Sequence, residues 1–194
     1  MQVEFGKYLR PFEGEIHSGD ECLIYQVGYS IVAVMIDVLG HGEEAYGEAQ
    51  FMKSELEAHM HIDPAFLMEA LNEACTGRRG AAVGVISFDL RSGDGRYIGI
   101  GNTSFKLIGE EYLHPVSKDG IVGNWKRGYE ATKLRISPGD TILMYSDGLK
   151  SNFDTDLLEK NTLFSADQFA RYFVDSFGKS TDDASCMVLR IRND

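Results

Sequence analysis

The sequence is poor in proline and cysteine, and it has no long apolar run. Its three cysteines, Cys22, Cys75 and Cys186, are odd in number and far apart. That excludes a disulfide framework, and no CxxC pair is present to bind a soft metal. No stretch approaches the roughly 20 apolar residues of a membrane span, and the opening MQVEFGKYLRPFEGEIH lacks a basic region followed by an apolar core. These absences predict a reduced, cytoplasmic protein with no membrane partner. Basic residues are scarce too: 19 Lys and Arg against 30 Asp and Glu leave a formal charge of −11. Such a balance argues against nucleic acid or an anionic membrane as the principal partner. An anionic substrate stays open, provided bound metal reverses the sign locally.

Glycine is plentiful, at 21 residues against 4 prolines, which suits many short strands and tight turns. The length fits one domain over residues 1–194, large enough to bury roughly 70% of the unfolded surface. Repeats, low-complexity tracts and linkers are absent.

The most informative stretch is 31–42, IVAVMIDVLGHG, a β-branched apolar run that stops on Asp37 and turns through Gly-His-Gly. Such a run reads as a buried strand. A carboxylate at its end needs a cation, a donor or water, because burying it unpaired costs several kcal/mol by rough estimate. Residues 23–27 and 31–38 read as a hairpin, which brings Asp20 and Asp37 out at the same end of a sheet. Ala45, Ala49, Met52, Leu56 and Met60 recur at helical spacing over 43–62. Asp63-Pro64 is a helix start, and that second helix runs through Ala74. Strands are expected at 81–90, 96–101, 104–108, 129–136, 141–146 and 184–191. Segment 109–128 reads as a surface excursion. Ser165 to Gln168 has capping-box spacing and opens a helix with Phe169, Tyr172, Phe173 and Phe177 on one face. Helices grouped around mainly antiparallel strands predict an α+β layered architecture.

A second acid pair repeats the first: Asp147 ends one strand and Asp182 precedes another. If those strands are antiparallel neighbours, four aspartates can converge on one site. Like charges that close raise one another's pKa, so the cluster is stable in its ionised form only around cations. Carboxylates without thiolates select hard ions, Mg²⁺ or Mn²⁺. Two such ions activate water and polarise a phosphoryl oxygen, which is phosphoester hydrolysis. Taken singly, each aspartate could instead be a turn or cap residue.

Ser18-Gly19-Asp20, Asp37-Val38-Leu39-Gly40-His41-Gly42, Gly101-Asn102, Ser146-Asp147-Gly148 and Asp182-Asp183-Ala184-Ser185 occur in this order. Together they resemble the metal-dependent protein phosphatases of the protein phosphatase 2C class, nearest to the bacterial SpoIIE-like branch and its stand-alone stress-signalling members. The resemblance spans essentially the whole chain and implies a four-layer αββα sandwich of two mainly antiparallel sheets flanked by helices. It implies two Mn²⁺ or Mg²⁺ ions, with Asp37 bridging them, Asp147 and Asp182 on one, and Asp20 with the Val38 carbonyl on the other. It further implies attack on phosphoserine or phosphothreonine by a metal-bridging hydroxide, with His41 as proton donor to the leaving alkoxide. The implied partner is a phosphorylated STAS-domain regulatory protein, and the implied state a monomer. A non-catalytic binding module and a small-phosphoester hydrolase are the competing readings. Two departures stand out: Val38 replaces the usual glycine, and Glu15-Ile16-His17 lacks the phosphate-gripping arginine of eukaryotic members. Phosphate contact then falls to the metals alone, or to Arg78 and Arg79. Asp183 reads as a backbone-capping neighbour, Asn102 as the residue fixing its turn, and Lys126-Arg127 as solvated charge.

Overall fold

The structure is a computed structural model that describes residues 1–150, 153 and 164–193. In chain order its elements are β1 (Gln2–Arg10), β2 (Asp20–Val27), β3 (Ser30–Val38), α1 (Gly42–Ala58), α2 (Pro64–Ala74), β4 (Ala81–Asp89), β5 (Asp94–Ile100), β6 (Ser104–Ile108), β7 (Tyr112–Leu113), β8 (Thr132–Arg135), β9 (Thr141–Tyr145), α3 (Ala166–Phe177) and β10 (Ala184–Arg192). They form two five-stranded sheets, in the orders β2-β3-β4-β5-β8 and β1-β10-β9-β6-β7. Neighbouring strands in both sheets run antiparallel.

Side-chain alternation sorts the interior into three layers. Val32, Val34 and Ile36 of β3 pack with Met52 and Leu56 of α1 and Leu67 and Leu71 of α2. Ala33 and Met35 point the other way, to meet Phe105, Met144, Met187 and Leu189 of the second sheet. Beyond that sheet, Leu143, Cys186 and Val188 pack against Phe169 and Phe173 of α3. This is the expected αββα sandwich. Among the described residues no helix is long and apolar enough to cross a membrane.

Both helix starts foreseen from sequence carry their caps. The Asp63 side chain accepts from the Ala65 N–H, and Ser165 and Gln168 form a reciprocal capping box. Tyr172 is 40% exposed, so it lies off the apolar face of α3 that the sequence assigns it to. α1 stops at Ala58, four residues before the expected end, although Met60 still packs on the core.

Two segments differ more. β1 carries no strong sequence signal, because it is an edge strand whose residues are mostly half-buried and whose conformation depends on pairing with β10. Segment 109–128 is largely exposed, as a surface excursion should be, but it is anchored: Val122 is fully buried and Trp125 nearly so, both in the layer under α1 and α2. Asn72 of α2 holds it there, since its Oδ1 accepts from Gly123 N (2.9 Å) and Trp125 N (2.8 Å) while its Nδ2 donates to Trp125 O (3.0 Å).

Candidate metal centre

Asp20 opens β2 and Asp37 is the penultimate residue of β3. The antiparallel register sets the two directly opposite one another. Asp147 follows β9 and Asp182 precedes β10. Those strands are also antiparallel neighbours, with Cys186 facing Tyr145, so the second pair emerges at one sheet end. Stacking of the sheets brings the two pairs within electrostatic reach. Burial raises the pKa of Asp37, and the charges of Asp20, Asp147 and Asp182 raise it further, against a backbone hydrogen bond from Asp147. Burial likewise raises Asp20, with Asp183 and Asp182 adding to it and the Ser185 and Ser146 hydroxyls opposing. Asp147 is raised by burial and by Asp182, and drawn back by Lys179 and Asn102.

Asp20 Oδ2 and Asp37 Oδ2 are buried without a hydrogen-bond partner. They are the two such carboxylate oxygens among the described residues. A buried acceptor left unmade costs about 1–3 kcal/mol, and more when it is charged. A hard divalent cation satisfies both oxygens and reverses the mutual repulsion, so the donor set fits Mg²⁺ or Mn²⁺. Among the described residues no three carboxylate, imidazole or thiol groups already stand where they alone would hold an ion.

Glycines let the backbone converge here. A Cβ on Gly148 would sit 1.7 Å from the Asp183 carbonyl oxygen, so Asp147 can only be followed by glycine. Asn102 donates to the Asp147 carboxylate, and Lys179 donates to its carbonyl. The Asn102 side chain thus acts on an acid. Lys179 escaped the sequence reading, because nothing local marks a lysine whose partner lies 32 residues away.

Val38 is 2% exposed, and its N–H donates to the Gly19 carbonyl at 3.2 Å. It is a strand residue, and no residue other than glycine has positive φ among those described. The position therefore imposes no need for the family's glycine. The left-handed turns fall instead on Gly40 (φ 87°) and Gly42 (φ 77°), which flank His41. His41 has a half-exposed side chain. Its Nδ1 is 3.3 Å from Glu15 Oε1, and its ring stacks on Phe12 with centroids 4.3 Å apart.

The two arginines considered for phosphate are engaged elsewhere. Arg78 makes bonds of 2.9–3.1 Å to the buried carboxylate of Glu48 and lies 3.7 Å over the Phe51 ring. Arg79 pairs with Glu44 and donates to the Leu39 carbonyl, bracing the loop after Asp37. Asp183 caps backbone, as its position suggests.

The family model for stage II sporulation protein E (SpoIIE) matches residues 28–192 of this chain. The chain belongs to the SpoIIE family. Among curated relatives of this SpoIIE-family chain, the phosphoserine phosphatase RsbX of Bacillus subtilis (strain 168) is 23% identical over 157 residues, covering 77% of this chain and 79% of RsbX. A solved structure from work on the bacterial stressosome, as a modular system adapted to control secondary messenger signalling, superposes with a TM-score of 0.92. It is 28% identical, over 98% of this chain and 100% of that one. A crystal structure of RsbX in complex with magnesium gives a TM-score of 0.84 at 19% identity, covering 96% and 94% of the two chains. SpoIIE-family membership makes this chain a metal-dependent serine/threonine phosphatase domain of the protein phosphatase 2C type.

Proposed function

We propose that Asp20, Asp37, Asp147 and Asp182, with the carbonyl of Val38, hold two Mg²⁺ or Mn²⁺ ions, and that the chain removes phosphate from serine or threonine of a bacterial regulatory protein. One observation carries this: two opposed acids, each with a buried oxygen that has no hydrogen-bond partner, at the sheet end where two more acids emerge. When bound, such ions lower the pKa of water and polarise a phosphoryl oxygen. The chain's own residues do the rest. Asp37 would hold the ions together with Asp147, which Asn102 and Lys179 orient from outside. His41 supplies a proton to the leaving serine or threonine oxygen. Glu15 engages its Nδ1, which leaves Nε2 for that transfer. Water and phosphoester become alcohol and phosphate, with no covalent phosphoenzyme.

The partner we propose is a phosphorylated STAS-domain component of a stressosome-like complex, supported by the likeness to a phosphoserine phosphatase and to a solved structure from work on the bacterial stressosome. The chain acts as a monomeric, cytoplasmic, single catalytic domain over 1–194, in keeping with three free, buried cysteines. Hydrolysis of p-nitrophenyl phosphate with Mn²⁺, with Mg²⁺ and with chelator is the first test, and turnover is expected only with metal. No turnover with any divalent ion would leave a partner-binding module. A phosphorylated STAS protein should then show a higher kcat/KM than small phosphoesters, and equal values would reject a protein substrate.

A further inference from the structure

The strap joining β1 to β2, residues 11–19, makes contacts that phosphoester hydrolysis by itself does not explain. Both of its ends rest on one side chain. Phe12 N–H donates to Asp183 Oδ1 at 2.7 Å, and Gly19 N–H donates to Asp183 Oδ2 at 2.8 Å. Asp183 is only 3% exposed, so both bonds are charge-assisted and shielded from water, the strong kind. The fit at the second end leaves no room for a side chain: a Cβ on Gly19 would lie 2.7 Å from Ala45 Cβ and 3.3 Å from Asp183 Oδ2. The chain neighbours of this clamp are Asp182 on one side and Asp20 on the other. One carboxylate therefore ties the start of β10, in one sheet, to the start of β2, in the other.

Between its ends the strap grips the beginning of α1. The Phe12 ring stacks on His41 at an interplanar angle of 25°. Glu15 reaches His41 Nδ1, and its carboxylate would lie 2.9 Å from a Cβ on Gly42. His17 stacks on Tyr46 with centroids 4.3 Å apart. His41 is thus held on a face and at one ring nitrogen by the strap alone. It lacks the side-chain hydrogen bond that an N-cap residue usually makes.

We propose that Asp183 is a positioning residue: by clamping both ends of the strap it turns residues 12–19 into a fixed bracket, through which Phe12 and Glu15 hold the His41 ring in one orientation. What His41 then does rests on the phosphatase reading. How it is held does not.

Histidine-ring NMR of the metal-free full chain, with His41 assigned from His41→Gln, reads the bracket directly. In the wild type its signals carry the ring-current shift of a stacked aromatic. Asp183→Asn puts an amide donor where one N–H needs an acceptor, and Asp183→Ala removes both acceptors. Both variants should move the His41 signals toward those of a free histidine while circular dichroism stays native. With Mn²⁺, kcat for p-nitrophenyl phosphate should fall about 10–100-fold, the usual loss for an outer partner of a site, with KM little changed. Phe12→Leu and Glu15→Ala leave every acid of the centre in place and should lower kcat in the same way. His41 signals at their wild-type positions in folded Asp183→Asn overturn the proposal. Should neither Asp183 variant fold, wild-type kcat in both Phe12→Leu and Glu15→Ala overturns it. If instead the wild type shows no metal-dependent turnover while His41 moves in the Asp183 variants, the phosphatase reading fails and the bracket stands.

Discussion

Asp37 faces Asp20 across a strand pair and lies within reach of Asp147 and Asp182, so its ionised form is opposed from several sides at once. Replacing it with asparagine keeps the shape and removes the charge. Asp37→Asn should lower metal-dependent turnover by more than the roughly 10–100-fold typical of an outer partner. It should also raise the melting temperature of the metal-free protein above about pH 9, where the wild-type carboxylate is ionised against its acidic neighbours. A variant that keeps full activity would rule out Asp37 as a metal ligand. Gly148→Ala acts on backbone rather than charge. Its methyl group has to displace the Asp183 carbonyl, which should cost about 1–3 kcal/mol by overpacking and weaken Mn²⁺ binding measured by calorimetry.

At the scale of elements, the β2–β3 hairpin is the part of the centre that sequence describes best. A slip of one residue would turn Val32, Val34 and Ile36 away from α1, so burial specifies the register that puts Asp20 opposite Asp37. α1 is fastened at its side by Arg78, which neutralises the buried Glu48 and covers Phe51. Arg78→Ala should therefore destabilise the protein by about 1–3 kcal/mol in thermal unfolding, through an unpaired acid and lost packing. It should leave KM for p-nitrophenyl phosphate unchanged, and a large rise in KM would restore Arg78 as a phosphate contact. Strands and helices with strong periodicity were legible in advance. β1 and the anchorage of 109–128 were not, since the first depends on β10 for its conformation and the second on Asn72.

For the whole molecule, the acid centre links stability to pH and to metal. The folded-state pKa values of Asp20 and Asp37 are raised above those of the unfolded chain, so in the interval between the two the native state binds more protons. Stability of the metal-free protein should then be fullest below about pH 4, as far as this pair is concerned, and decline as pH rises through the raised values. Mg²⁺ or Mn²⁺ should reverse the decline, because ions bind the deprotonated acids of the folded state alone. Urea unfolding at pH 5 and pH 8, with metal and with chelator, checks this. A stability that rises with pH in chelator would contradict the sign.

The residue types, their order and the alternation along each strand were enough to give the layered α+β class, the hairpin, both capped helices and the identity of the acids, because these depend on local periodicity and on the chemistry of single side chains. Only the tertiary structure decided that β9 and β10 are neighbours, that the two acid pairs meet across stacked sheets, and that Arg79, Lys179 and Asp183 brace the segments carrying the acids. Each of these is a contact between residues distant in the chain, and its free energy exists only once the intervening segments have folded.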